Sequence, residues 1–88
     1  MAPGAARARA QRCDLRGERV DVACAIAERF VDDALRAGDD EVVLLHGHGT
    51  GALRQSLRER LRESPAVAAL RPGTPEEGGE AVTVVVLA

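Results

Sequence analysis

The chain predicts an α/β fold: a two-layer sandwich in the order βαβαββ, with two helices on one face of a four-stranded mixed sheet. Three stretches carry this expectation. Val20, Ala23, Cys24, Ala27, Phe30, Val31, Ala34 and Leu35 recur at the i, i+3, i+4, i+7 spacing of an amphipathic helix. Val42-Val43-Leu44-Leu45 is an unbroken apolar run, as in a parallel strand buried on both faces. Val82-Thr83-Val84-Val85-Val86-Leu87 is β-branched along nearly its whole length and reads as a strand.

The remaining elements follow in chain order. Residues 1–11 are rich in Ala, Arg, Gly and Pro without apolar periodicity, so they are expected as a disordered leader or linker, with the domain spanning 12–88. Cys13 and Leu15 alternate with Asp14 and Arg16, a short strand that Gly17 stops. The first helix has Asp21 in its first turn and Gly38 at its C′ position. After the second strand and a glycine cluster, Leu53, Leu57 and Leu61 mark a second helix, ended by Ser64-Pro65. Val67–Leu70 is the third strand, and turn-rich Pro72–Gly79 leads to the last. Right-handed crossovers place both helices on one face.

Composition narrows the function. With 88 residues there is room for one domain with a thin core. Phe30 is the only aromatic residue, which excludes a platform of stacked bases. No stretch approaches the ~20 apolar residues of a membrane span and Met1–Gln11 lacks a signal peptide's apolar region, so a cytoplasmic protein without membrane contact is expected. Cys13 and Cys24 lack zinc or disulfide spacing and are expected as small core residues. All 12 basic residues are Arg. That suits bidentate phosphate contacts, and it also suits a GC-rich genome. Residues 7–19 and 51–71 each carry five Arg against two acids, whereas 28–41 holds six acids and two Arg, so one basic and one acidic face are expected.

The sequence Leu44-Leu45-His46-Gly47-His48-Gly49-Thr50-Gly51-Ala52-Leu53-Arg54 is a strand, a glycine turn and a helix start. Glycines permit positive φ and close approach of the backbone, and a helix start offers free N–H groups, so this is a candidate anion site. A Walker A loop needs a Lys, which the chain lacks. Gly47, Gly49 and Ala52 fit a dinucleotide fingerprint formally, but Leu70-Arg71 stands where its acidic residue belongs. Phosphates of a polymer or of a small compound remain.

Cys13-Asp14-Leu15-Arg16-Gly17, His46-Gly47-His48-Gly49-Thr50-Gly51-Ala52-Leu53-Arg54 and Glu77-Gly78-Gly79-Glu80-Ala81-Val82-Thr83-Val84 together resemble the three blocks of Smr (small MutS-related) domains. The resemblance implies a fold similar to the C-terminal domain of translation initiation factor three and a role in binding or cutting nucleic acid. Family members nick DNA or cleave RNA, and many sit at the end of MutS-like recombination suppressors that also act on stalled ribosomes. The implied partners are therefore DNA, RNA or the ribosome, with fusion to a MutS-like ATPase. Arg16 stands where RNA-cleaving relatives carry His, and this form looks closest to the MutS-like subgroup, for which DNA nicking is proposed.

Several residues become candidates on this basis. Asp14 would activate water, bind a metal or fix a neighbouring turn. His46 would act as acid or base, donate to phosphate, or be a satisfied structural histidine. Arg16 would stabilise developing charge. Gly47, His48, Gly49, Thr50 and Gly51 would hold phosphate. Arg54, Arg58 and Arg62, spaced i, i+4, i+8, form either a stripe that tracks the backbone or a solvated face. No metal site is indicated by spacing, although Mg2+ or Mn2+ is a conceivable cofactor for cutting.

Overall fold

A computed structural model describes residues 10–88. It contains strand β1 (Gln11–Asp14), helix α1 (Val20–Arg36), strand β2 (Glu41–Leu45), helix α2 (Ala52–Arg62), strand β3 (Val67–Pro72), a 3-10 turn (Gly79–Ala81) and strand β4 (Val82–Leu87). The βαβαββ order is the one expected. Of the stretch expected as a leader, residues 1–9 lie outside the described residues. Gln11, assigned to that leader, instead opens β1, because its backbone pairs with Val42.

The sheet runs β1-β2-β4-β3. β1 and β2 are parallel, while β4 lies antiparallel to both of its neighbours. The last strand thus inserts between β2 and β3, which explains the mixed sheet. β2 and β4 are central, in keeping with their unbroken apolar sequences. The Val67/Ala69 step shifts the β3–β4 register, so β3 carries a bulge near its start.

Both helices pack on one face. Ala23, Cys24, Ala27, Val31 and Ala34 form the buried stripe of α1, and Leu57 and Leu61 that of α2. They meet Leu15, Val42, Leu44, Val85 and Leu87 in a single core. Small side chains on α1 allow its backbone to approach the sheet. α1 ends as expected at Gly38, whose φ is +85°. The Gly38 N–H bonds to Leu35 O and the Asp39 N–H to Ala34 O, the paired bonds of a Schellman cap. Cys24 is buried and Cys13 half-buried, both as free thiols.

The opposite face has its own small cluster of Val43, Val82 and Val84, with Ala10 and Leu45 against it. The loop after β3 folds over this face. Gly73 and Gly78 lie so close to Val82 that a Cβ on either would clash with its side chain. Arg71 holds the loop through both carboxylate oxygens of Glu77, at 2.7 and 3.0 Å, and Arg12 bonds to the Glu77 carbonyl at 3.1 Å. A two-layer protein thereby shields a sheet face that no helix covers.

Candidate functional site

β1 and β2 are parallel neighbours, so their carboxyl ends emerge at one edge of the sheet, the place where α/β folds bind ligands. The glycine turn lies there. Its φ values are +79° at Gly47, +44° at Gly49 and +86° at Gly51, while no non-glycine residue among those described takes a positive φ. Left-handed residues therefore alternate with His48 and Thr50. Alternation of this kind turns successive N–H groups toward one concavity.

The entry to the turn is pinned, because the His46 and Gly47 amides both donate to Ala81 O, at 3.1 and 2.9 Å. Beyond it, among the described residues, the amides of His48, Gly49 and Thr50 have no backbone acceptor. The first intrahelical bond of α2 runs from Gln55 N–H to Gly51 O, so the Leu53 and Arg54 amides are also free of the helix ladder. Thr50 Oγ1 accepts only the Ala52 N–H, at 3.3 Å. The N-cap residue is Gly51. A run of donors leading into a positive helix end is the arrangement that holds phosphate oxygens.

Two arginines flank this turn. Arg16 lies over Gly47, its Cγ 3.4 Å from where a Cβ would stand, and the Arg54 guanidinium lies 3.0 Å from the corresponding point on Gly51. Arg54 also reaches Glu80 at 3.5 Å. Arg16 grips Asp14, donating from Nε and Nη2 to the two carboxylate oxygens at 3.0 and 2.8 Å, and its backbone amide adds a third bond at 3.0 Å. The side-chain bond from Arg16, followed by that from its amide, lowers the Asp14 pKa to about 2. Asp14 is thus a carboxylate at any physiological pH. Both side chains are more than half exposed.

His46 occupies a different environment. It is buried at 6% exposure; Nδ1 lies 2.8 Å from Gly47 O and Nε2 2.9 Å from Thr83 Oγ1. Burial is the main cause that pushes its pKa below the ordinary 6.5. Arg58 donates from Nε to the same Thr83 hydroxyl at 2.9 Å. The stripe of Arg54, Arg58 and Arg62 therefore does not form one outward row. Arg62 is exposed, Arg54 half-buried at the turn, and Arg58 turned inward to β4.

Asp14 and His46, expected to attend the same phosphate, leave the sheet on opposite faces. Asp14 is in register with Leu45, which packs on the loop-covered face. His46, one residue further on, bonds to Thr83 and so shares the helix-covered face with Arg58. What comes together is Asp14, Arg16 and the glycine turn. His48 is exposed on the turn. Among the described residues no three His, Cys, Asp or Glu side chains converge as a metal would need. The donor set therefore does not fit a resident Mg2+ or Mn2+ ion. No helix among them is long and apolar enough to cross a membrane.

The Smr domain family matches residues 13–88 of this chain. The chain belongs to the Smr family. The crystal structure of the Smr domain of Thermus thermophilus MutS2 superposes with a TM-score of 0.85 at 42% identity, covering 89% of this chain and 98% of that one. YdaL, a stand-alone small MutS-related protein from Escherichia coli, superposes with a TM-score of 0.75 at 26% identity over 86% of this chain and 63% of its own. Endonuclease MutS2 of Anaeromyxobacter is 51% identical over 77 residues, which are 88% of this chain and 10% of that protein. Endonuclease MutS2 of Geobacillus thermodenitrificans is 49% identical over 74 residues, 9% of its length. This Smr domain thus corresponds to about a tenth of the curated relatives it matches.

Thr83 lies beneath the turn and bonds to both His46 and Arg58. In the sequence it looks like one more β-branched strand residue, yet it is the single hydroxyl in a run otherwise made of Val and Leu. A fully buried hydroxyl in an apolar strand requires a partner, and that requirement was the available signal.

Proposed function

We propose that this Smr domain binds the phosphate backbone of nucleic acid and cuts it, as part of a MutS2-like endonuclease. One observation carries the reading: among the described residues the amides from His48 to Thr50, with those of Leu53 and Arg54, have no backbone acceptor, and the turn that bears them is flanked by the stem of Arg16 and the guanidinium of Arg54. Arg62 extends the positive surface along α2. Such a site reads backbone rather than base edges, in keeping with a chain whose only aromatic residue is Phe30, against the core.

For cutting, Asp14 and Arg16 are the residues at hand. A phosphate that draws Arg16 off Asp14 places a cation on the oxygens where charge builds up, and frees a carboxylate to take a proton from the attacking water. The water oxygen bonds to phosphorus as the bond to the leaving sugar oxygen breaks, and that oxygen leaves as a hydroxyl by taking a proton from solvent, to which Asp14 returns its own. His46 has no part in that transfer, since both ring nitrogens are engaged.

DNA is the proposed substrate, because the Arg16 form is the one that the family resemblance ties to nicking. RNA, free or ribosomal, serves as the comparison. The test is plasmid nicking by purified domain with and without Mg2+ or Mn2+. Asp14→Asn should lower nicking by ~10² or more while affinity for uncut DNA stays within a few-fold. A second reading, docking without cutting, is favoured by the Arg16 grip on both oxygens of Asp14. Tight binding with no strand breaks under any metal condition would establish it.

A further inference from the structure

With the His46 ring neutral, the hydrogens along Arg58, Thr83, His46 and Gly47 can all run in one direction. Arg58 Nε can only donate, so Thr83 Oγ1 accepts from it at 2.9 Å. Gly47 O can only accept, so His46 Nδ1 carries the hydrogen across 2.8 Å. A neutral imidazole protonated at Nδ1 is bare at Nε2, which then accepts the Thr83 hydroxyl hydrogen across 2.9 Å. The direction runs one way, from guanidinium through hydroxyl and ring to a backbone carbonyl.

That carbonyl belongs to the peptide between Gly47 and His48. In a planar trans peptide the C=O and N–H point in opposite directions. Holding the Gly47 carbonyl back toward His46 therefore aims the His48 N–H outward, into the mouth of the turn. The preceding peptide is fixed separately by the Gly47 N–H to Ala81 O bond of 2.9 Å. Glycine at 47, with φ +79°, would otherwise let the 47–48 peptide swing.

We propose that Thr83 is a positioning residue for the phosphate site: by bonding to Nε2 it holds the His46 ring, in the Nδ1–H tautomer that the Gly47 carbonyl requires, where it fixes the direction of the first free amide of the turn. In this proposal Arg58 is assigned to the hydrogen-bond network rather than to the phosphate. Its Nε faces Thr83, and its Nη2 is enclosed by the protein. The inference rests on the reading of the turn as a phosphate site.

The first measurement needs no variant. In 15N-labelled wild-type domain the His46 ring should show a protonated Nδ1 and an unprotonated Nε2 at neutral pH; the opposite tautomer overturns the proposal. The second compares binding to a fluorescent DNA duplex over a salt series. Thr83→Val should weaken binding about tenfold, the loss expected when one hydrogen bond to a charged group is misdirected, and Thr83→Ser should restore it. The His48 amide resonance should move in Thr83→Val and return in Thr83→Ser.

Arg58→Gln should weaken binding without changing the salt slope, whereas Arg54→Ala should reduce that slope by about 0.9 for the lost phosphate contact. A slope change in Arg58→Gln as large as that in Arg54→Ala places Arg58 on the phosphate and overturns its assigned role. If Thr83→Val is folded by circular dichroism and binds as well as wild type, the positioning role fails and the phosphate reading stands. If the wild-type domain binds no DNA at any salt concentration, it is the phosphate reading that fails.

Discussion

Arg16 holds both carboxylate oxygens of Asp14 while the stem of the same side chain covers Gly47, so one residue joins the end of β1 to the turn after β2. The pair is exposed and screened by solvent, so its contribution to stability is small. Its signature is a titration. The folded pKa of Asp14 is about 2, below its ordinary 3.8, so the ion pair is complete above the ordinary value and lost as pH falls toward 2. A carboxyl 13C titration should show this low midpoint in wild type, and Arg16→Ala should return Asp14 to the normal range.

His46 titrates in the opposite chemical sense with the same direction of stability. Its folded pKa lies below 6.5, so acid protonates the unfolded chain first and stability falls as pH drops below that value. Melting temperature followed from pH 8 to 5 should decline, and His46→Gln should flatten the decline. A melting temperature that rises on acidification contradicts the buried neutral ring.

Binding should depend strongly on salt. Log affinity for duplex DNA should fall against log salt with a slope of about −0.9 for each phosphate neutralised. Arg16→Ala and Arg54→Ala should each make the slope shallower by about that step, for any DNA sequence. Affinity that is indifferent to salt would rule out the backbone-binding mode.

The glycines separate site from scaffold. A Cβ on Gly49 meets nothing within 4 Å, so Gly49→Ala costs only the strain of its φ of +44°, about 1–2 kcal/mol, and acts on binding. A Cβ on Gly73 would lie 2.4 Å from Val82 Cγ2 and 3.1 Å from Gly79 O. Gly73→Ala should therefore destabilise the fold by about 1–3 kcal/mol while folded molecules bind DNA normally. Denaturant melts beside binding curves check both.

The elements themselves were legible because each has a local cause. The α1 face repeats at helical spacing, Gly38 ends it, and β2 and β4 announce their burial by composition. The glycine turn was legible for the same reason. What escaped is long-range. A spacing of i, i+4, i+8 puts Arg54, Arg58 and Arg62 on one stripe without saying which way it faces, and only the position of α2 against β4 turns Arg58 inward. That Asp14 and His46 diverge follows from the register of Asp14 with Leu45, since neighbours along a strand alternate in face. The register is a property of the pairing, not of either strand alone. The loop over Val82 likewise depends on Arg12 finding a carbonyl 65 residues away.

The bulge at the start of β3 and the shortness of β1 acquire a meaning once the strand order is known. β1 and β3 are the outer strands, the ones whose unpaired backbone can recruit a foreign strand. One is four residues long and carries Arg12; the other is bent at Val67/Ala69 and closes with Pro72. Neither offers the long, flat rim on which chains stack into fibrils. Rims of this kind resist pairing edge to edge with copies of the same domain.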